Sequence, residues 1–494
     1  MEPLERQGRS PSHRLADVAR RVEDAVAPAS QTSPVPAPPA QQPPTRDSRT
    51  RAASQQPIQV KRIDLSDLEL TPEFQSALHL LENTGQHVYL TGKAGTGKST
   101  LLRYFVETTK KNIAVVAPTG IAAINVGGQT IHSFLRLPPR FMEQSDVHTA
   151  GKNREVVEKL DALVIDEVSM VRADLMDAMD WSLRLNRGNL HVPFGGVQMF
   201  FFGDLYQLSP VVDEAMRGLF EQRYDSPFFF SAKVFQDISL AYWELTRIFR
   251  QSDGEFVSLL NRLRDGDCTA NDLEGLNQRM IDQATLTNGE SVTLTTTNRG
   301  AEEINQQRLS RLEKPEYEYQ AVITGTFDES AYPTQETLVL RRGAQVLLLR
   351  NDARKRWVNG TIGHVTALSP SSITVSMDGK DYTLARERWE KIQYALDPET
   401  EKIEREVIGT FEQYPIKLAW AMTIHKSQGQ TLTDVVIDME HGAFAHGQLY
   451  VALSRCTSLS GIKLRKPIQR SDIIFDPRVL AFRAKFRELA RSTP

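Results

Sequence analysis

Short apolar bursts alternate with helical patterns between residues 71 and 204. Four bursts end in polar or small residues: HVYL at 87–90, NIAVVAPT at 112–119, ALVIDEVSM at 162–170 and VQMFFFGD at 197–204. Such bursts are typical of parallel strands buried on both faces. Apolar residues at helical spacing precede the first burst in TPEFQSALHLLENTG and follow it in STLLRYFVETT. The pattern predicts an α/β fold.

A later stretch has a different character. RGAQVLLLRND, RWVNGTIGHVTAL, SSITVSMDG and KDYTLARERWEKI, between residues 342 and 392, consist of short strand-like segments separated by turn residues. Asn359-Gly360 is a strong tight-turn signal. We predict a small antiparallel β-barrel, inserted at 316–410.

Composition separates one further region and limits the possible partners. Residues 1 to about 58 are rich in Pro, Ser, Ala, Gln and Arg and poor in aliphatic residues, so a disordered tail is expected. The 494 residues carry a net charge of -3, and a polyanion would therefore be held by local basic grooves. Cys268 and Cys456, the two cysteines, lack metal-ligand spacing.

Targeting signals are not evident. No apolar run approaches the roughly 20 residues that cross a bilayer, and MEPLERQGRS lacks the apolar segment of a secretory signal. Acidic residues in the tail disfavour an organellar transit peptide. We expect the cytoplasm of a bacterium, with an organelle or the nucleus as alternatives, and no membrane partner.

The stretch after HVYL fits the phosphate-loop pattern G-x-x-x-x-G-K-[ST]. Its glycines allow backbone amides to surround phosphate oxygens, and the following helix adds the partial positive charge of its N-terminus. We expect Lys98 to reach the β and γ phosphates of ATP and the Ser99 hydroxyl to bind Mg²⁺. The predicted nucleotide-binding residues are Gly92, Lys93, Ala94, Gly95, Thr96, Gly97, Lys98, Ser99 and Thr100.

Two acidic residues end the burst LVIDE. Asp166 is suited to hold Mg²⁺, and Glu167 to deprotonate an attacking water. A carboxylate base implies transfer to water, so the pair favours hydrolysis. After the next burst, Gln207 in GDLYQLSPV is placed to sense the γ phosphate or the water.

The ordered motifs resemble those of the petite-integration-frequency (Pif-type) DNA helicases, a superfamily-one family that moves 5′ to 3′. The resemblance covers roughly residues 62 to 470. It rests on GKAGTGKST, APTGIAAINVGGQTIHSF, VIDEVSMV, GDLYQLSPV, LTRIFRQ, YPIKLAWAMTIHKSQGQTL and YVALSRCTSL. The segment PFGGVQ resembles one that separates this family from RecD-like relatives.

The resemblance implies two RecA-like P-loop sheet domains that close on ATP. Arg250 and Arg455 would act as arginine fingers from the second domain. Single-stranded DNA, and duplex or structured DNA junctions, would be the partners of a monomeric motor, and the partner of the tail is left open. The implied DNA-binding residues are Thr119, His132, Thr423, His425, Lys426 and Ser427, whereas Phe134 is expected in the core.

Two further residues are assigned by the same resemblance. Gly429, beside Gln428, lies where the family couples the DNA loop to the nucleotide. The family also places an adenine-reading glutamine ahead of the phosphate loop, and here Phe74 stands close to that register with Gln75 beside it. The resemblance assigns the reading of adenine to Gln75, although Phe74 at this register departs from the family pattern.

The predicted domain organisation follows from these motifs. It comprises a tail at 1–60, a first RecA-like ATPase domain at 61–240 with a wedge insertion at about 134–158, a second RecA-like domain at 241–315 and 411–470 interrupted by the barrel at 316–410, and a C-terminal helical extension at 471–494. Pro138 and Pro139 would stiffen the wedge.

Two alternative functions stay open. One is a RecD-like helicase subunit of a nuclease complex. The other is a nucleic-acid-binding ATP switch that does not separate strands.

Overall fold

The computed structural model describes residues 70–212, 214–251, 253–282 and 289–492. The predicted tail at 1–60 lies outside these residues. Among the described residues, no helix is long and apolar enough to cross a membrane.

The first part of the chain forms a parallel sheet with the strand order β3-β2-β4-β5-β1-β6. Its strands are β1 (His87–Gly92), β2 (Ile113–Ala117), β3 (Gln129–Thr130), β4 (Ala162–Ile165), β5 (Gln198–Phe202) and β6 (Leu240–Leu245). The accompanying helices are α1 (Pro72–Asn83), α2 (Lys98–Thr108), α3 (Gly120–Val126), α4 (Ile131–Leu135), α5 (Arg154–Glu158), α6 (Ala173–Asn186) and α7 (Glu214–Arg223).

Both faces of this sheet are buried, as the apolar bursts predict. On β5, Phe200 and Phe202 pack with Leu101 and Phe105 of α2, whereas Phe201 belongs to the core on the other face. Because successive side chains of a strand point to opposite faces, a continuous apolar run fills both layers. β6 extends the sheet to Leu245, beyond the domain boundary predicted at residue 240. The half-buried pattern of LAYWEL gave no clear strand signal.

A second parallel sheet has the order β18-β7-β19-β20. The elements leading into it are α8 (Gly254–Asp265), α9 (Ala270–Asn277), β7 (Val292–Thr295) and α10 (Asn298–Ser310). The two parallel sheets confirm the predicted α/β class.

Antiparallel strands lie between β7 and β18, in sheets of five strands (β14-β13-β12-β11-β17), three strands (β15-β16-β9) and two strands (β10-β8). Their bounds are β8 (Glu316–Gln320), β9 (Val322–Gly325), β10 (Thr337–Arg341), β11 (Gln345–Leu348), β12 (Ile362–Ser369), β13 (Ser372–Met377), β14 (Lys380–Leu384), β15 (Glu387–Leu396), β16 (Ile403–Gln413) and β17 (Ile416–Leu418). The insertion therefore ends at β17, later than the predicted residue 410. The turn at Asn359-Gly360 is present, with Gly360 at φ +98°.

The chain then completes the second sheet and returns to the first. The remaining elements are β18 (Ala421–Thr423), β19 (Val435–Asp438), α11 (Gln448–Ser454), β20 (Ile462–Leu464) and α12 (Pro477–Ser492). On α12, Phe482 stacks on Phe230 and Phe486 stacks on Tyr242 of β6. The last helix thus covers the first sheet rather than the second.

The insertion docks on the first sheet through β15. The amide of Val115 in β2 donates a hydrogen bond of 2.8 Å to the hydroxyl of Tyr394. The ring of Tyr394 packs edge-on against Phe134, which is fully buried, as expected for a core residue. This contact fixes the insertion beside α3 and α4.

Candidate functional site at the cleft between the two parallel sheets

The phosphate loop follows β1 at the carboxyl edge of the first sheet. Gly95 and Gly97 have φ values of +83° and +84°, which glycine adopts without a Cβ penalty. A Cβ on Gly95 would lie 2.5 Å from the Cβ of Arg250. Glycine at 95 therefore permits both the loop conformation and the close approach of Arg250.

Lys98 and Ser99 occupy the start of α2, as predicted. The ammonium of Lys98 donates to the carbonyl oxygens of Gly92 at 2.7 Å and Lys93 at 3.2 Å. Burial lowers the pKa of Lys98. Ser99 and Thr100 are exposed, and so their hydroxyls are accessible to a ligand. The lysine is thus folded onto its own loop, with the ligand-binding edge of the helix open.

Asp166 and Glu167 follow β4 at the same edge of the sheet. Burial is the main cause that raises the pKa of both carboxyl groups. The neighbouring Lys98 opposes the rise at both, and Arg455 also opposes it at Glu167. Glu167 has φ +52°, an uncommon conformation for a residue with a side chain. The strand end brings the two carboxylates and Lys98 into one charged group.

Gln207 lies beside this group and is held by a hydrogen bond to Asp204. Its Nε2 donates a hydrogen bond of 3.3 Å to Oδ2 of Asp204, which is fully buried. From the second sheet, Nε2 of Gln428 donates to Oε2 of Glu167 at 3.1 Å and to Oε1 of Gln207 at 3.2 Å. One amide therefore bridges the predicted base and the predicted sensor across the cleft.

Arg250 packs against the phosphate loop at Gly95, and Arg455 lies near Arg250 and Glu167. Arg455 is buried after α11, and its guanidinium donates to the carbonyl of Ser427 at 3.4 Å. Burial and the neighbouring Arg250 guanidinium lower the pKa of Arg455 to about 9. Arg250 donates to the carbonyl of Ser454 at 3.4 Å. Two like charges are therefore held near each other beside the phosphate loop.

The charged and polar groups of this site fit a nucleoside triphosphate with a bound Mg²⁺ ion. Lys98, Arg250 and Arg455 form a group of cations that the charge of a polyphosphate would offset. Ser99 and Asp166 offer the oxygen ligands that Mg²⁺ prefers, and phosphate oxygens usually complete such sites. Within the described residues, no group of three His, Cys, Asp or Glu side chains could hold a metal by itself. A magnesium ion would therefore bind here together with the nucleotide.

Three residues near the loop were not found from the sequence. The hydroxyl of Tyr450 on α11 accepts a hydrogen bond of 3.3 Å from the amide of Ala94. Arg264 of α8 is buried and pairs with Asp204 at 3.5 Å and Glu244 at 3.2 Å. Phe249, which is 52% exposed, donates from its amide to the carbonyl of Gly95. A signal for Phe249 existed, since it directly precedes Arg250.

The predicted base-reading and coupling residues are placed differently. Gln75 is exposed, and its amide donates to the carbonyl of Leu70 at 3.2 Å, within its own helix start. The ring of Phe74 instead lies against the phosphate loop, 2.9 Å from where a Cβ of Gly97 would stand. Gly429 is exposed at φ +80°, with open space around its Cα. The described contacts do not bring Gln75 or Gly429 to the loop.

The predicted DNA-binding residues divide by exposure. Thr119 and His132 are half-buried beside α3 and α4, where the hydroxyl of Thr119 caps α3.

In the turn after β18, Thr423 and Ser427 are buried. The hydroxyl of Thr423 accepts a hydrogen bond from the amide of Lys426, and the hydroxyl of Ser427 donates one to the carbonyl of Ile424. His425 is half-buried and Lys426 is exposed. Of the predicted DNA-binding residues in this turn, Lys426 and His425 are therefore the ones whose side chains a DNA strand could reach.

Comparisons with known proteins extend this picture. The family model for PIF1-like helicases matches residues 70–274. The ATP-dependent DNA helicase Pif1 of Bdellovibrio bacteriovorus is 34% identical over 443 residues, with 86% of this chain and 93% of the relative covered.

Two solved structures of Bacteroides sp. Pif1 are each 39% identical to the chain. The complex with ADP-AlF4 has a TM-score of 0.80 and covers 85% of this chain and 98% of the other. The structure bound to single-stranded DNA has a TM-score of 0.62 and covers 86% and 98%. The arrangement described here is thus more similar to the ADP-AlF4 complex.

The fold and the site define a P-loop ATPase in which two parallel sheets face one nucleotide site. Lys98 and Glu167 come from the first sheet, Arg250 packs against the loop, and Arg455, from the second sheet, lies near Glu167. The chain belongs to the PIF1-like helicase family and is an enzyme of the ATP-dependent helicase class.

Proposed function

We propose that the chain hydrolyses ATP between its two parallel sheets and uses the cycle to move 5′ to 3′ along single-stranded DNA, unwinding duplex or structured DNA. One observation carries this proposal: Glu167, Gln207 and Gln428 are hydrogen-bonded across the cleft. Through this contact, the predicted catalytic base is joined directly to the turn that carries Lys426.

The residues of the first sheet perform the hydrolysis. Glu167 accepts a proton from the water that attacks the γ phosphate of ATP, and Gln207, held by Asp204, orients that water. Lys98 neutralises the β and γ phosphates. Ser99 and Asp166 would hold Mg²⁺, which neutralises phosphate charge when bound.

Arg250 and Arg455 complete the site as arginine fingers. Both are held by backbone carbonyls of the second half, those of Ser454 and Ser427. The γ phosphate develops charge during transfer, and guanidinium groups at this position typically accelerate hydrolysis by about 10³–10⁵-fold. Movement of either sheet therefore changes the activity of the site.

Coupling to DNA passes through the turn at 424–429. Lys426 is exposed on it, Ser427 offers its carbonyl to Arg455, and Gln428 reaches Glu167. A DNA strand that displaces this turn would change the contacts of Glu167 and of Arg455 together. Such gating by a moving loop is a common way to make hydrolysis depend on a ligand.

The test is unwinding of matched duplexes that carry either a 5′ or a 3′ single-stranded tail. We expect ATP-dependent unwinding of the 5′-tailed duplex only. Unwinding that required the 3′ tail would overturn the polarity. ATP hydrolysis stimulated by DNA without unwinding of either substrate would favour the ATP switch, and activity only with a co-purifying nuclease would favour the RecD-like subunit.

The compartment and the domain roles follow as parts of the same proposal. We infer the bacterial cytoplasm from the similarity to the Bdellovibrio relative. The segment at 134–158 would act as the wedge. In it, Phe141 packs edge-on against Phe220 of α7, which gives the segment a rigid support.

A further inference from the structure

Lys417 of β17 is a cation that the proposed hydrolysis does not use. It is half-buried in the edge strand of the five-stranded sheet. Within the part of the chain that the structure describes, neither Lys417 nor Lys426 forms an ion pair with a carboxylate. A shielded ammonium without a counterion is costly, so its retention suggests an anionic ligand.

The side chain of Lys417 faces the turn that carries Lys426. Lys417 lies directly opposite Leu347 in the antiparallel pairing of β11 and β17, so the two side chains share one face of the sheet. Leu347 belongs to the same core cluster as Met422, Ile424 and Leu432, which bracket the turn. The register therefore places Lys417 on the face of the sheet that is turned away from the insertion's own core, to which Val346 and Leu348 belong.

The electrostatics of Lys417 agree with this placement. Burial lowers the pKa of Lys417 to about 8, and the ammonium of Lys426 lowers it further in the same direction. No carboxylate among the described residues offsets these two effects. The two lysines thus stand near each other as like charges.

The loop between β11 and β12 packs against the segment that follows the turn at 424–429. A Cβ on Gly360, in the loop between β11 and β12, would lie 2.8 Å from the carbonyl oxygen of Thr431, just after the turn. The insertion and the second sheet are therefore in direct contact here. They present β17 and the turn as one continuous surface.

We propose that Lys417 and Lys426 together bind a phosphodiester group of single-stranded DNA, one lysine from the insertion and one from the second parallel sheet. This inference rests on the proposed function, because it places a backbone contact on the strand that the motor follows. A strand bound here would tie the insertion to the turn that contacts Glu167.

The test measures binding of a fluorescent oligo-dT to the full chain as a function of salt. Each phosphate contact with single-stranded DNA contributes a slope of about -0.7 to log K against log salt. We expect Lys417→Gln to flatten the slope by about that amount and Lys417→Arg to retain it. Lys380→Gln, which removes an exposed lysine from β14 at the opposite edge of the same sheet, is the matched control and should bind like the wild type.

Each outcome is decisive. An unchanged affinity for a fluorescent ATP analogue shows that Lys417→Gln is folded. If that variant keeps the wild-type slope, the inference fails while the proposed function stands. If the wild-type chain does not bind oligo-dT, the result contradicts the proposed function itself. Inorganic phosphate at matched ionic strength should displace the oligonucleotide less readily from Lys417→Gln than from the wild type. Equal displacement from the two proteins would show that Lys417 does not bind a phosphate group of the DNA.

Discussion

Nε2 of Gln428 lies 3.1 Å from Oε2 of Glu167, although the two residues are 261 positions apart in the chain. The same amide nitrogen donates to Gln207. A carboxylate that accepts a hydrogen bond is a weaker base, and its lone pair is less available to a water molecule. The contact therefore holds the proposed base in a less reactive state in this structure.

The first prediction follows from this contact. Gln428→Ala should raise ATP hydrolysis without DNA on the order of fivefold and lower the ratio of DNA-stimulated to basal rate, since coupling between sites is typically worth about 1–3 kcal/mol. Steady-state ATPase assays with and without oligo-dT measure both rates.

Gln430→Ala, directly after the same turn, is the matched control. The oxygen of its side chain lies 3.3 Å from where a Cβ of Gly360 would stand. We expect this variant to keep the low basal rate. A basal rate below wild type in Gln428→Ala would show that the amide assists hydrolysis rather than restraining it.

The second prediction concerns the base itself. Glu167→Gln should lower the ATPase rate by on the order of 10²–10⁴-fold, because the amide cannot accept a proton from water. Affinity for a fluorescent ATP analogue should stay within about twofold of wild type, since phosphate binding rests on Lys98 and the loop. Glu155→Gln, an exposed residue of α5, should hydrolyse ATP normally. Normal turnover in Glu167→Gln would assign the base to another residue.

The parts of the site that the sequence predicts are those that lie close together along the chain. HVYL, the glycine loop and α2 are consecutive, so a local pattern places Lys98 and Ser99 at a helix start that faces the sheet edge. Asp166 and Glu167 directly follow β4 in the same way. The roles of these residues stay predictions, which the variants above test.

Contacts between distant segments have no such local signal. The hydrogen bond from Ala94 to Tyr450 joins residues 356 positions apart, and Tyr450 reads in the sequence as an ordinary helix residue. Strand β6 pairs with β1, about 150 positions earlier, and it is the half-buried edge strand of the sheet, without the fully buried apolar pattern of the inner strands. Gln75 stands beside the family register, yet its amide donates a hydrogen bond within its own segment, to the carbonyl of Leu70. Tertiary packing decides these three cases.

The third prediction concerns a buried ion pair that supports Gln207. Arg264 is 1% exposed and pairs with Asp204, the residue that holds Gln207. Arg264→Met should lower the free energy of unfolding by about 3–5 kcal/mol, because it leaves the buried carboxylate of Asp204 without its cation. Arg299→Met is the control, since the side chain of Arg299 is 89% exposed in its pair with Glu303 and such pairs contribute about 0–1 kcal/mol.

Urea denaturation followed by circular dichroism measures both variants. A loss in Arg264→Met no larger than that in Arg299→Met would show that the buried pair does not stabilise the protein. The ATPase rate of Arg264→Met, measured well below its denaturation midpoint, should also fall, because Asp204 then holds Gln207 less firmly.

The fourth prediction is a dependence of stability on pH through His446, which precedes α11. Its Nε2 bonds the carbonyl of Leu205 at 2.9 Å, and its Nδ1 accepts from the amide of Asp476 at 3.0 Å. Because Nδ1 is an acceptor, the ring is neutral, and burial lowers the pKa of His446 below its usual 6.5. Protonation therefore favours the unfolded chain, so stability is lost as pH falls from about 6.5 through the lower folded pKa.

Thermal denaturation between pH 8 and pH 5 measures this effect. The denaturation temperature should fall more steeply with decreasing pH for the wild type than for His446→Gln, which cannot gain a proton in this range. Parallel curves for the two proteins would show that His446 does not titrate on unfolding.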